Sequence, residues 1–222
     1  MVIKSRLIDL SHTIVDGMIT YKGLPAPLIC DYLSHNDSKD LYQDAEFQIG
    51  KIEMISNTGT YIDCPFHRYK EGKDISEVSL EKFADIPGVI IRSNYKDGIE
   101  LDVDAFEKID VKGKAVLVQT DWSDHWQTDA YFENHPFLTE EAAIYLRDQG
   151  AKLVGIDSYN IDDTRSKRRP VHSVLLSEEI LIVEHLCNLN SIPQDTEFFF
   201  NAVPPKIKGM GAYPVRAYAQ MK

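Results

Sequence analysis

"AVLVQTD", residues 115–121, and "LTEEAAIYLRDQGAKLVGIDS", residues 138–158, decide the fold. The first is a β-branched run that follows a Lys-Gly-Lys turn and breaks off into polar residues, the pattern of a buried strand. In the second, Thr139 can cap a helix, Glu140 and Glu141 suit the positive end of its dipole, and Gly150 suits its stop. Ala142, Ile144 and Leu146 are the expected apolar side of that helix. KLVGIDS, 152–158, then reads as a second short apolar strand. Strand, helix and strand joined by tight connections predict a βαβ unit with two parallel strands close in one sheet. Ligands of such units gather beyond the carboxyl ends of the strands, where Asp121, Trp122 and Asp157 stand.

Working outward, GVIIRS (88–93), EILIVE (179–184) and EFFFNAVP (197–204) read as further strands of a mixed sheet, completed by N-terminal strands near 6–10 and 46–55. No repeat or linker divides the chain, and 222 residues with 43% hydrophobic content suffice for one core. The expectation is a single α/β domain over residues 1–222, with more strand than helix.

The balance of 24 basic against 35 acidic residues gives a formal charge of -11. Such a field repels phosphate backbones and anionic lipid, which argues against nucleic-acid or membrane partners. The one basic cluster, Arg165, Lys167, Arg168 and Arg169, reads as a solvated loop, with the alternative that one arginine meets an anionic substrate group. Cys30, Cys64 and Cys187 are odd in number and lack CxxC spacing, so neither a disulfide framework nor a cysteine zinc module is expected. MVIKSRLIDLSH lacks the apolar core of a signal peptide, and the expected compartment is the reducing cytoplasm.

The densest chemistry lies in "NTGTYIDCPFH", residues 57–67. Gly59 permits a turn other residues resist and Pro65 fixes the chain before His67, so Asp63 and His67 are aimed in defined directions. The same residue types also form ordinary turns. His172 precedes the apolar run VLLSEEILIVE, which Glu184 ends. A carboxylate ending a buried strand needs a metal or a cation as partner, whereas one just past the strand end is simply solvated. Asp63, His172 and Glu184 together supply the oxygen and nitrogen donors that zinc or manganese accepts. A divalent metal brings the pKa of its water to ~7, and a free His67 beside it could relay a proton, a combination that hydrolyses amides and esters.

These residues resemble the cyclase-like metal-dependent hydrolases that include bacterial kynurenine formamidase and isatin hydrolase. Their signature H-x-G-T-H-x-D-x-P-x-H falls on residues 57–67. The resemblance runs over almost the whole chain: "IDLSHTIVDGM" at 8–18, "TDWSDHW" at 120–126, "HPFLTEEAAIYLRDQGAKLVGIDSYNID" at 135–162, the His172 and Glu184 pair, and "GAYPVRAYA" at 211–219. It implies a swivelling β/β/α cyclase-type fold, assembled as a homodimer or homotetramer. It also implies that Asp63, His172 and Glu184 hold one divalent metal while His67 carries the proton. The two imidazoles that serve the other metal in this family are replaced by Asn57 and Tyr61. An amide oxygen is a weak zinc ligand, and a phenol ligates only after losing a proton of pKa ~10. Tyr61 could instead donate a hydrogen bond to a substrate carbonyl.

Three readings follow: a mononuclear hydrolase, a site rebuilt around other ligands or another metal, and a fold kept only to bind a small molecule. The first is preferred: a hydroxide on the metal attacks the carbonyl of a small amide, a formamide or cyclic amide carrying an aromatic group. Around it, Trp122 and Trp126 offer flat apolar surface or packing, and His12 lines the pocket or satisfies a turn. Asn57, Trp122 and His12 are thus the expected substrate contacts. Asp124 and His125 fit an exposed loop, and Cys64, beside Asp63 on an extended segment, points away from the ligands.

Overall fold

A computed structural model describes residues 6–43 and 45–222. Its centre is a nine-stranded mixed sheet. From one edge to the other the strands are Leu7–Asp9, Tyr218–Met221, Phe198–Asn201, Ile86–Arg92, Ala115–Gln119, Leu153–Ile156, Leu181–Glu184, Tyr61–Asp63 and Ala212–Pro214. The four strands from Ile86–Arg92 to Leu181–Glu184 run parallel, and those flanking them pair antiparallel. Ala115 pairs with Leu153 and Val118 with Ile156, as expected for a βαβ unit.

Side chains alternate across these strands and fill two cores. Val116, Val118, Val154 and Ile182 face helices α2 (Glu140–Asp148) and α3 (Pro170–Ser177), which contribute Ala142, Leu146, Val171 and Leu175. Ala115, Leu117, Leu153 and Val183 face the other way, against Leu10, Ile62, Phe83 and Phe200. Because both faces are covered, AVLVQ is buried along its whole length and reads as a continuous apolar run. Thr139 caps α2 by accepting from the Ala142 amide at 3.1 Å, and Gly150 follows its end with φ +79°.

Three expectations change. The buried face of α2 is Ala142, Ala143 and Leu146, with Ile144 half-buried, because the spacing that faces a core is three and four rather than two. The connection from Ala115–Gln119 to α2 is not tight. It holds two 3-10 turns, Trp122–His125 and Asp129–Phe132, and a short strand Phe137–Leu138 that pairs with Glu100–Leu101. Trp122 and Tyr131 of this excursion bury against Tyr159, which draws the chain over the end of the sheet. The strand expected at 46–55, found at Ile49–Glu53, does not join the large sheet. It pairs with Leu28–Leu33 in a separate two-stranded ribbon. Leu181–Glu184 forms within the expected strand EILIVE, after a turn at Glu179 with φ +55°, and Pro170, whose missing amide costs nothing at a helix start, opens α3, which had no counterpart in the sequence reading. Helix α1 (His35–Leu41), capped by Ser34, had no counterpart in the sequence reading.

Candidate active site

The antiparallel register of Tyr61–Asp63 on Leu181–Glu184 sets Tyr61 directly opposite Glu184 and Asp63 opposite Ile182. Tyr61 and Asp63, two residues apart, share one side of the strand. Gly59 makes the turn before this strand with φ +67°, and a Cβ there would stand 2.8 Å from Ile14 Cγ1. After Asp63 the 3-10 turn Pro65–His67 folds the chain back, which brings His67 Nδ1 to 3.4 Å from Asp63 Oδ1.

Helix α3 delivers His172 from the other side. Asp162 accepts from the amides of Val171 at 2.8 Å and His172 at 3.1 Å, and its Oδ2 lies 2.5 Å from His172 Nδ1. An ionised carboxylate only accepts, so the Nδ1 proton is committed to Asp162 and Nε2 faces inward. There it lies 3.6 Å from Asp63 Oδ2 and 3.8 Å from Glu184 Oε1. Burial alone would lower the His172 pKa, yet the Asp162 hydrogen bond and the nearby Asp63 and Glu184 carboxylates outweigh it and raise the value.

Asp63 is fully buried, and both its carboxylate oxygens lack a hydrogen-bond partner. A buried carboxylate without hydrogen bonds is costly unless a cation compensates it. Asp63, His67 and His172 each present a ligand atom, all within 4.8 Å of one another. Glu184 Oε1 borders the same space, so hard and borderline donors suited to a divalent metal converge at one point. His67 differs from the other three in exposure: about a third of its side chain meets solvent.

Glu184 is more heavily engaged than Asp63. Its Oε1 accepts from the Ile161 amide at 2.7 Å, and its Oε2 accepts from the Tyr61 hydroxyl, from Tyr21 at 3.2 Å and from Asn160 at 3.3 Å. Tyr21 and Tyr61 also share a hydrogen bond of 2.7 Å. Burial pushes the Glu184 carboxyl up, with the Asp63 charge adding to the rise and His172 opposing it. Burial and the charge of Glu184 push the Tyr61 phenol well above 10, so the group occupying an expected metal-ligand position stays protonated. Its hydroxyl donates to Glu184.

A cavity of about 300 Å³ opens onto these groups, lined by Asn57, Tyr61, His67, Arg68, Arg169 and His172 among others. Asn57 therefore stands in the cavity wall. His12 and Trp122, expected as substrate contacts, do not line it. The His12 ring stacks on Trp126 at 4.0 Å, and the residue borders a separate polar cleft with Asp121 and Asp157. Trp122 is buried, with its indole N–H donated to the Tyr131 carbonyl at 3.0 Å. Asp157, at a strand end as expected, ties the sheet tips together by accepting from Thr120 and Asp121 amides at 2.8 and 2.9 Å. Cys64 turns away from the cluster, with Sγ 3.6 Å from the Met210 carbonyl.

Sequence reasoning missed Tyr21, Arg68, Asn160 and Asp162. Asn160 and Asp162 follow the strand Leu153–Ile156, so the carboxyl-end rule could have found them. Tyr21 comes from a loop with no local signal.

Residues 8–163 match the Cyclase family model. The kynurenine formamidase of Geobacillus thermodenitrificans is 32% identical over 176 residues, 79% of this chain and 81% of that one. A solved structure of a potential metal-dependent hydrolase with cyclase activity superposes with a TM-score of 0.79 at 25% identity, covering 99% of both chains. Isatin hydrolase A from Labrenzia aggregata shares the fold, with a TM-score of 0.82 at 23% identity over 98% of this chain and 94% of its own. With its family match spanning most of its length, the chain belongs to the Cyclase family of α/β proteins.

Proposed function

We propose that the protein is a metal-dependent hydrolase that cleaves the carbon–nitrogen bond of a small amide, a formamide or cyclic amide bearing an aromatic group. The observation that carries this reading is the Asp63 carboxylate, fully buried and without a hydrogen bond while two imidazoles and a second carboxylate surround it. The likeness to a kynurenine formamidase over most of the chain supports the amide class.

In this reading Asp63, His172 and Glu184 would hold one zinc or manganese ion. Bound there, a divalent ion supplies hydroxide at neutral pH and polarises a carbonyl. His67 is reserved for proton transfer because it alone of the four reaches solvent, and it delivers the proton to the leaving nitrogen. Asp162 keeps the His172 tautomer fixed. Tyr61 and Tyr21 hold Glu184 in place, and Asn57 contacts the substrate from the cavity wall.

Three free cysteines suit a reducing, cytoplasmic setting. The ribbon of Leu28–Leu33 and Ile49–Glu53 exposes Leu28, Tyr32, Ile49 and Ile52, a surface that supports a homodimer. The testing experiment is hydrolysis of an aromatic formamide by chelator-treated protein before and after one equivalent of zinc or manganese. Activity restored by metal is expected. Folded, metal-loaded protein inert toward formamides and cyclic amides alike would favour a small-molecule binding protein on the same fold.

A further inference from the structure

The arginines of the 165–169 loop and Arg68 divide into two kinds. Arg165 pairs with Asp163 at 2.8 Å and approaches Glu100 at 3.8 Å, while Arg168 reaches Glu140 at 3.0 Å. These two are neutralised on the surface. Arg68 and Arg169, which line the cavity, form no ion pair among the described residues.

Both are nevertheless held in place. Arg68 uses only Nε, which donates to Ser173 Oγ at 2.9 Å, and its two terminal nitrogens have no hydrogen-bond partner among the described residues. Arg169 uses only Nη1, which donates to the Ser166 and Arg168 carbonyls at 2.7 Å. Ser173 joins the two segments, because its hydroxyl also donates to the Arg169 carbonyl at 2.8 Å. Arg68 directly follows His67, and Arg169 precedes His172 by three residues at the start of α3. In a chain of net charge -11, two uncompensated and partly anchored guanidiniums face the same small cavity as the imidazoles.

We propose that Arg68 and Arg169 form an anion subsite that takes a carboxylate carried by the substrate beside its scissile amide. This rests on the hydrolase reading and narrows its substrate to anionic amides. Guanidinium groups suit the purpose: their planar donors match a carboxylate, and charge-assisted hydrogen bonds inside a cavity are strong. The positive pocket in a negative molecule also draws in the anion against the overall field. Neutral amides of the same size lack this partner and leave both arginines unpaired, so discrimination arises on both sides of the comparison.

The test compares hydrolysis of N-formylanthranilate, which carries a carboxylate, with that of formanilide, which does not. In parallel, benzoate and benzamide binding to metal-free protein is measured by calorimetry. The expected results are a preference of at least tenfold in kcat/KM for N-formylanthranilate, falling toward unity in Arg68→Gln and Arg169→Gln. Benzoate affinity should drop about tenfold in those variants, benzamide affinity should not change, and Arg169→Lys should keep part of the preference. Thermal melts of all variants report folding. If formanilide and N-formylanthranilate are hydrolysed equally well, or the preference survives both substitutions, the anion subsite is overturned and the hydrolase reading stands. If neither is hydrolysed while benzoate binding still depends on both arginines, the subsite stands and the hydrolase reading falls.

Discussion

The Tyr61 hydroxyl donates to the Glu184 carboxylate across two antiparallel strands whose register sets these residues face to face. Tyr61 stands at the position where the sequence reading expects an imidazole. A phenol kept protonated there acts as a hydrogen-bond donor and holds the Glu184 carboxylate in place.

Restoring the signature should therefore restore a second metal position. The Asn57→His, Tyr61→His double variant is expected to raise bound zinc from about one to about two equivalents, measured by elemental analysis after dialysis. Tyr61→Phe, by contrast, leaves Glu184 short of a donor inside the protein and should cost about 1–3 kcal/mol of stability in denaturant titrations.

Asp162 orients His172 without bordering the proposed ion position, so its effect should appear in affinity rather than stoichiometry. Asp162→Asn is expected to weaken zinc binding by roughly 10–100-fold while a saturating zinc titration still reaches the wild-type equivalent. Chelator competition measures the difference.

His12 gives the fold a defined acid sensitivity. Burial lowers its pKa from 6.5 to about 4, and its Nε2 has no hydrogen-bond partner. Between these values the unfolded chain binds a proton that the folded chain does not, so this stability is complete above pH 6.5 and lost as pH falls. The slope approaches about 1.4 kcal/mol per pH unit for one such group. His12→Phe keeps a ring on Trp126 and should flatten that part of the profile in urea titrations from pH 7 to 5.

Leu117 fills the core between the sheet and Phe200, fully buried. Leu117→Ala should destabilise by about 2–5 kcal/mol through lost burial and the cavity left behind. Bound zinc per folded molecule should not change, because the residue points away from the ligands' side of the sheet.

The strands and helix of residues 115–158 were legible because their signals are local: a β-branched run, a capping threonine, a glycine stop. The helix that carries His172 was not, because Val174, Leu175 and Leu176 merge with the following apolar strand and only Pro170 marks its start. Asp63, His67 and Glu184 were legible as residue types within motifs, whereas their convergence depends on strand register. Tyr21 reaches the site only through tertiary folding and nothing in its neighbouring sequence announces it, whereas Arg68 directly follows His67 at the end of the motif. His12 and Trp122 carried motif-like surroundings yet packed into aromatic contacts beside the site.

In the proposed mechanism one metal would be held by buried donors, with His67 kept free for the proton. The most direct measurement is metal content alongside amide turnover in two variants of the zinc-loaded protein. His172→Ala should lose the single equivalent of zinc, whereas His67→Gln should keep it and lose most of its turnover. A His67→Gln protein that loses metal as completely as His172→Ala would contradict the claim by making His67 a ligand.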